Sequence, residues 1–322
     1  WPTMSATALK AAAFADEASR DALAKNEKLR AAAEQRMDGA CKRHDNHSYL
    51  ELESTFKLAV LLWGTDYVLS MLQQMLAQHA MDRQAKHYFV QAACRVLANE
   101  ENEEMDVGTS LFAVKTALQI FEMLQDLPPQ SLGPIATLLG RSLSALGDAG
   151  AAEVDVGSTV LVTFMDRVLA LDNIHVVNEV CWGMCLATQG GLAQVTALAT
   201  HGAIDRLEAL AEKLATRAAQ ETYKRRDEAP ALTEVLEALG RLRGHLGPVL
   251  AVMQRCSLQS VQVACLRALM NLLDDGLRAT SQEDHDGVIA SCRAVLERFG
   301  DDERIRSSAE RILGLHANLR NC

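Results

Sequence analysis

Apolar residues recur along most of the chain at the spacing of one face of an α-helix. From Tyr49 onwards they follow positions i, i+3, i+4 and i+7, as in the stripe of Val261, Cys265, Leu269 and Leu272. No segment shows the sustained alternation of a half-buried strand, so the pattern predicts an all-α protein. The predicted helices span residues 49–63, 66–79, 82–99, 108–126, 131–147, 156–171, 174–188, 191–200, 203–218, 231–243, 246–255, 258–273, 285–299 and 301–318.

A short helical phrase returns at nearly regular intervals. The phrase Arg-Val-Leu-Ala-Asn that begins at Arg95 has the same form as Arg-Ala-Leu-Met-Asn, which begins at Arg267. Related phrases begin at Arg141, Trp182 and Arg311. The successive starts are 46, 41, 85 and 44 residues apart, and 85 corresponds to two intervals. Helical units of about 40–47 residues stack into a solenoid, whose usual function is to hold another protein.

The first part of the chain has a weaker apolar pattern. Residues 5–40 are rich in Ala, Lys and Glu, which favour helix, but their apolar faces are weak. This composition predicts one or two exposed helices that pack loosely, bind a partner or cover the first repeat. We therefore expect an N-terminal helical extension or cap over residues 1–47 and a repeat domain over residues 48–322.

Residues 173–214 resemble a repeat boundary of the armadillo family. They contain a helix around Trp182, then a short helix, then Gly202-Ala-Ile-Asp-Arg-Leu, which is similar to the Gly-x-Ile-x-x-Leu that opens the second helix in that family. Gly202 would permit the sharp turn between two helices. The resemblance extends roughly over residues 49–318. It implies a right-handed α-solenoid of about five to six armadillo-like or HEAT-like repeats.

Two polar stretches interrupt the repeats. A third-helix phrase is expected near position 224, where the chain instead has the polar residues 218–230, and the next helical phrase follows about 13 residues late. We interpret residues 218–230 as a longer helix end or an inserted loop, followed by a shortened unit. The second interruption is residues 274–286. Insertions in solenoids often bind partners, although a solvated linker has the same composition.

Importin-α-like and catenin-like armadillo proteins carry a Trp and, four residues later, an Asn on the third helix. The two side chains share a helix face and hold an extended peptide. Trp182 matches the Trp position of this pair, but Leu186 replaces its Asn. Asn99 and Asn271 match the Asn position, where arginines replace the Trp. The pair is incomplete, so the resemblance does not imply a nuclear import adaptor.

The recurring phrases instead predict a row of arginines on one face of the array. Arginine presents a planar fork that matches carboxylate and phosphate groups. We hypothesise that the concave face binds an acidic or phosphorylated segment of a partner protein. The alternative is that each arginine is solvated or paired with a neighbouring carboxylate. The candidate partner-binding residues are Arg95, Asn99, Arg141, Trp182, Arg267, Asn271 and Arg311.

No catalytic motif is visible in the sequence, and no cofactor is implied. The chain has no nucleophile elbow, phosphate-binding loop or dinucleotide fingerprint. Cys41, His44 and His47 resemble a metal cluster by composition, but their spacing does not match common zinc sites. Cys181 and Cys185 share a helix face and are better explained by burial. We predict neither catalytic nor metal-binding residues.

Composition narrows the expected partners and compartment. The formal net charge of −10 argues against a general nucleic-acid binder. No apolar run approaches the ~18–20 residues that span a bilayer. The eight cysteines lie mostly in apolar helical context, which favours a reducing compartment. We expect a cytoplasmic protein that does not insert into membranes, and an organellar location after removal of a targeting segment stays an alternative.

The expected function is a non-enzymatic scaffold or adaptor that holds a partner segment in its concave groove. A chaperone or assembly factor, similar to the myosin chaperones or to Hsp70 exchange factors of armadillo type, would need a large exposed apolar patch. A structural subunit of a larger complex would expose several apolar faces. An enzyme would need a deep pocket with converging titratable groups.

Overall fold

The computed structural model describes the chain as helices joined by short connections. The described residues are 17–41, 46–77, 82–99, 105–123, 127–147, 149–219, 225–273 and 282–319. Within these ranges the chain forms 16 α-helices and no β-strand, which confirms the predicted all-α class. None of the helices in these ranges is long and apolar enough to cross a membrane. The chain divides into two compact units, residues 1–153 and 154–322.

The first unit begins with two helices that precede the repeats. It contains α1 (Glu17–Ala24), α2 (Glu27–Cys41), α3 (Asn46–Trp63), α4 (Thr65–Ala77), α5 (Arg83–Leu97), α6 (Val107–Met123) and α7 (Pro129–Leu146). Helices α3, α5 and α7 pack side by side in one layer, and α4 packs beside α6 in the other. Each helix therefore meets its counterpart in the next repeat, as in a helical repeat array.

Helix α2 covers one end of the first unit. One stripe of α2 is buried, whereas most of its other side is exposed. The buried stripe consists of Leu29, Ala33, Met37 and Ala40. In α3, Leu58 and Leu62 cluster with Leu29, and the Nε1 of Trp63 donates a 3.0 Å hydrogen bond to the carbonyl of Ala24. A helix with one apolar stripe and a polar outer side suits the end of a repeat stack. The predicted boundary between residues 47 and 48 stays a prediction.

The second unit, taken by itself, also has two layers of helices. It contains α8 (Ala151–Leu169, which starts in the first unit), α9 (Ile174–Ala187), α10 (Leu192–Thr200), α11 (Ala203–Ala219), α12 (Arg225–Leu242), α13 (Leu246–Arg255), α14 (Gln259–Leu273), α15 (Gln282–Phe299) and α16 (Glu303–Leu319). Helices α9, α12, α14 and α16 pack in succession in one layer, and α11, α13 and α15 do so in the other. We call α3, α5, α7, α9, α12, α14 and α16 the third helices, after the armadillo repeat, and α4, α6, α8, α11, α13 and α15 the second helices.

The irregular repeat spacing has a different cause from the predicted one. Helix α10, with 9 residues, is an additional short first helix, and Gly202 with a φ of 81° turns the chain from it into α11. Helix α12 begins at Arg225 and contains Pro230. The interpretation of residues 218–230 as an inserted loop is therefore wrong for residues 225–230. The shortened unit after it is confirmed, since α13 has only 10 residues. Residues 220–224 and 274–281, which belong to the two predicted interruptions, lie outside the described residues.

At three places a basic side chain connects a repeat to the one before it by capping a helix end. The last carbonyls of a helix have no partner within that helix, and a cation beside them is favourable. Three such bonds join Arg141 to the carbonyl of Leu97 (3.4 Å), Lys213 to that of Leu169 (2.7 Å) and Arg241 to that of Cys185 (3.2 Å). The partners are 44, 44 and 56 residues apart, which is one repeat each.

Candidate protein-binding surface

The third helices α9, α12 and α14 of the second unit each leave one side accessible, and the third helix α16 is exposed over a broader side. The accessible sides carry Trp182 on α9, Glu237 on α12, Arg267 on α14 and Arg311 on α16. The residue that follows each of these four is buried. Because the four helices pack in succession, the four side chains follow one another across the unit. We call these four residues the third-helix row.

Glu237 is shared by two arginines. Its Oε1 accepts a hydrogen bond from Nη1 of Arg267 at 3.1 Å, and its Oε2 accepts one from Nη2 of Arg241 at 3.2 Å. Arg241 also donates to the carbonyl of Cys185 at 3.2 Å and lies 3.4 Å from Oγ1 of Thr188. The side chain of Arg241 is 29% exposed and that of Arg267 is 58% exposed. Arg241 is therefore fixed between two helices, whereas Arg267 extends towards solvent.

Cys185, Glu234 and Glu237 place three possible metal ligands close together beside the row. The ligand atoms lie within 4.8 Å of one another. However, Nη1 of Arg241 lies 3.1 Å from Sγ of Cys185. Burial, reinforced by the charge of Glu234, raises the pKa of Cys185 to about 12. Metals bind the thiolate, so a protonated thiol beside a guanidinium is a poor ligand. We interpret this cluster as a polar support for the row.

The first unit brings three of the predicted binding residues together. Arg95 is exposed on α5, and Asn99, just after the end of α5, is partly buried. Arg141 is partly buried on α7, the neighbouring third helix, and donates to the carbonyls of Leu97 and Asn99. The guanidinium of Arg141 is thus engaged with the end of α5. The role of Arg95, Asn99 and Arg141 in partner binding stays a prediction.

The second unit holds the other predicted binding residues. Trp182, Arg267 and Arg311 are members of the third-helix row, and Asn271 is exposed one helical turn after Arg267. Trp182 and Arg267 do not lie on adjacent helices, because α12 packs between α9 and α14. The row therefore has an acidic member, Glu237, that is not among the predicted binding residues. The partner-binding role of all four predicted residues stays a prediction.

The phrase reaches Glu237 to Arg241 about 13 residues late, because the additional helix α10 displaces α12 along the chain, and neither residue is among the predicted binding residues. The sequence contains two further signals. The tripeptide Leu-Gly-Arg ends at Arg141 and again at Arg241, and both arginines cap the third helix of the preceding repeat. Glu237 and Arg241 are also an i, i+4 pair of opposite charge on one helix face. The two signals together mark α12 as a third helix.

A cleft of about 270 Å³ lies in the first unit and is lined mainly by α2 and α4. One end is closed by Arg30, Glu34 and Tyr67. The hydroxyl of Tyr67 donates a 2.7 Å hydrogen bond to Glu34, and the guanidinium of Arg30 lies 4.4 Å from the centre of the Tyr67 ring. The apolar part is formed by Met37, Met71, Met75 and Phe89. The other described lining residues are Asp38, Ser70 and Gln74.

Two other sequence features are settled only in part. His44 lies outside the described residues, so the composition-based cluster of Cys41, His44 and His47 is not described as a site. Cys181 and Cys185 are both buried in α9, and their thiols are free. Burial raises the pKa of Cys181 well above the ordinary range. Burial thus explains this pair, as the sequence indicates.

Comparison with solved structures identifies the fold. No family model and no curated protein matches the chain. An engineered protein is similar with a TM-score of 0.52 and 19% sequence identity, over 77% of this chain and 98% of its own. A designed armadillo repeat protein is similar with a TM-score of 0.51 and 14% identity, over 77% of this chain and 99% of its own.

The chain has an armadillo-like helical repeat fold. The similarity to the designed armadillo repeat protein confirms the predicted all-α solenoid class. This fold is typically a protein-binding scaffold and typically non-enzymatic. At these levels of identity the comparison concerns the fold, so the function of this chain has to be argued from its own surface.

Proposed function

We propose that the protein is a non-enzymatic scaffold or adaptor that holds a segment of a partner protein along its third helices. The observation that carries the proposal is the third-helix row of the second unit, in which accessible side chains follow one another on four helices packed in succession. A row of this kind offers one contact per helix to an elongated ligand. The fold of the structural neighbours supports the same conclusion.

The charges of the row favour an acidic or phosphorylated partner segment. Arg267 is 58% exposed and Arg311 is exposed, so both can present their forks to carboxylate or phosphate groups. The chain as a whole carries a net charge of −10, so an anionic ligand would be attracted by these local groups and not by the overall field. For the same reason we do not propose nucleic acid as a ligand.

We place the protein in the cytoplasm. Six cysteines in the described part of the chain are free, buried thiols. Free thiols are expected of a protein from a reducing compartment. Within the described residues, the exposed large apolar side chains are Leu50, Val107, Met123, Val156 and Leu192. They are spread over α3, α6, α8 and α10 and do not favour a chaperone groove over a charged adaptor surface.

Affinity capture from native lysate with the full chain tests the proposal. The test bait carries Arg267→Glu and Arg311→Glu, and the control bait carries Arg293→Glu and Arg298→Glu on the second helix α15, where both arginines are exposed. We expect the test bait alone to lose a set of captured proteins with acidic or phosphorylated segments. Phosphatase treatment of the lysate separates phosphate from carboxylate recognition. Thermal unfolding of both baits should match the wild type.

Three other capture results would contradict the proposed function. A captured set that both baits retain contradicts binding at the third-helix row. If one complex of fixed stoichiometry is recovered with every bait, the protein is a structural subunit. If many unrelated unfolded proteins are recovered, it is a chaperone. A separate bait with Arg95→Glu tests the third helices of the first unit.

A further inference from the structure

The third-helix row of the second unit combines one aromatic and three charged side chains in a fixed order. We infer that it selects partner segments by spacing: an apolar side chain contacts Trp182, and two acidic side chains that lie three residues apart contact Arg267 and Arg311. The acidic residue nearer to the apolar one lies about six residues from it. This inference rests on the proposed function and adds the sequence pattern that the partner must carry.

The spacing follows from the packing of the four helices. Axes of packed helices lie about 8–10 Å apart. An extended chain advances about 3.3–3.6 Å per residue, so one helix-to-helix step corresponds to about three residues. Trp182 on α9 and Arg267 on α14 are two steps apart, because α12 lies between them. Arg311 on α16 is one step further.

Trp182 provides the apolar end of the row. It is partly exposed, whereas Cys181 and Gly183 on either side of it in α9 are buried. The indole is therefore held on a well-packed helix, and a rigid aromatic surface of this kind is a common binding hot spot. The side chain that contacts it loses water on both surfaces, which favours an apolar or aromatic partner residue.

Arg267 and Arg311 provide the specificity for acidic residues of the partner. Among the described residues, Arg267 has Glu237 as its acceptor, and that single bond engages one of the five N–H donors of the guanidinium. The neighbouring Arg241 stays bound to Cys185 and Glu237, so a ligand carboxylate meets Arg267 without displacing Arg241. Arg311 is exposed on the next third helix, α16.

Glu237 disfavours an acidic residue at one position of the partner segment. It lies in the row between Trp182 and Arg267, and its side chain is 21% exposed. A partner carboxylate at the intermediate step, three residues from the apolar residue, would face this carboxylate in a partly desolvated place. We therefore expect a neutral or basic residue there. The resulting pattern is apolar, non-acidic, acidic and acidic at steps of three residues.

A helical ligand would need a different pattern. An α-helix advances about 1.5 Å per residue, so a step of about 8–10 Å would take about five to seven residues, of which a spacing of seven returns to the same helix face. The acidic residues of a helical partner would then lie about 14 and 21 residues from the apolar one. Peptides with the two spacings therefore distinguish an extended from a helical ligand.

Fluorescence anisotropy with labelled synthetic peptides and the full chain tests the inference. The probe has Trp at position 1 and Glu at positions 7 and 10 on a Gly-Ser background, and a second probe has the reverse order because either chain direction fits the row. The comparison peptides have the same composition with Glu at positions 4 and 5, or carry the seven-residue spacing. We expect one of the two spaced probes to bind about fivefold more tightly than the peptide with adjacent acids, as for two exposed ion pairs.

Variants assign the contacts and separate the two proposals. Arg311→Glu should abolish the benefit of Glu at position 10 and leave that of position 7, whereas Arg293→Glu should change neither. Equal affinity for all spacings, or tighter binding of the seven-residue spacing, overturns the inference. If Arg267→Glu still weakens the binding of those peptides, the proposed function stands and only the spacing inference fails. Binding that is insensitive to both arginines, or no binding of any probe below about 1 mM, overturns the proposed function as well.

Discussion

Replacing Arg241 by methionine should weaken the junction between two repeats. Methionine keeps much of the aliphatic volume of the arginine stem and removes the guanidinium that joins α12 to the end of α9. The guanidinium donates to the carbonyl of Cys185 at 3.2 Å and to Glu237 at 3.2 Å, and it lies 3.4 Å from Oγ1 of Thr188. This single substitution therefore tests whether capping between repeats stabilises the fold.

The expected loss of unfolding free energy follows from the burial of the groups that Arg241 contacts. Cys185 and Thr188 are 0% and 3% exposed, so water cannot easily replace the guanidinium. An unmet buried acceptor costs about 1–3 kcal/mol. The lower part of this range applies to the carbonyl of Cys185, because Oγ1 of Thr188 still donates to it at 2.7 Å. Loss of the cation at the helix end adds about 0.3–1 kcal/mol. We expect the free energy of unfolding to fall by about 1.3–2.5 kcal/mol.

Urea unfolding followed by circular dichroism at 222 nm measures this change. The matched control is Arg267→Met, which removes a guanidinium bonded to the same Glu237 from a side chain that is 58% exposed. An exposed pair contributes at most about 1 kcal/mol, so the control should shift the midpoint much less. Amide exchange should rise at the end of α9 in Arg241→Met alone. Equal shifts in the two variants would refute the claim that capping between repeats is what holds this junction.

Three further predictions concern the partly buried His87, the glycines Gly240 and Gly247, and the buried Cys185. Burial lowers the pKa of His87, whose Nε2 has no hydrogen-bond partner among the described residues, so the unfolded state binds more protons as the pH falls below the ordinary value. Wild-type stability should therefore drop more between pH 7 and pH 5 than that of His87→Gln, and equal pH profiles in thermal unfolding would contradict this. A Cβ at Gly240 would lie 2.8 Å from the Cα of Ala268, so Gly240→Ala should cost about 1–3 kcal/mol in urea unfolding. Gly247→Ala, which meets no described atom within 4 Å, should be neutral or stabilising, and similar losses in both would disprove the close contact. Burial raises the pKa of Cys185 to about 12, so iodoacetamide should label it far more slowly in the folded protein than in urea, as read by mass spectrometry. Rapid labelling of the folded protein would mean that this thiol is accessible.

The local pattern of the chain is sufficient to predict the helices and the way they repeat. Helical periodicity depends on contacts three and four residues apart, so each predicted helix from residue 49 onwards corresponds to an observed one. The predicted helix 174–188 is observed as Ile174–Ala187, for example, and the predicted helix 246–255 as Leu246–Arg255. Burial of one side of each helix requires a stack, and the recurring phrase predicts where the stacked helices correspond. The armadillo-like class was therefore accessible from the sequence, as was the presence of arginines on third helices.

Only the tertiary structure decides what those arginines contact. A long side chain at a helix surface can reach an adjacent helix, and which helix is adjacent depends on chain segments far away in sequence. Arg141 and Arg267 belong to the same predicted row, yet the first is engaged with the end of α5 and the second points outward beside Glu237. Glu237 itself enters the row because the additional helix α10 displaces α12 along the chain without changing its place in the layer. Sequence periodicity records distance along the chain, whereas the binding surface is set by distance in space.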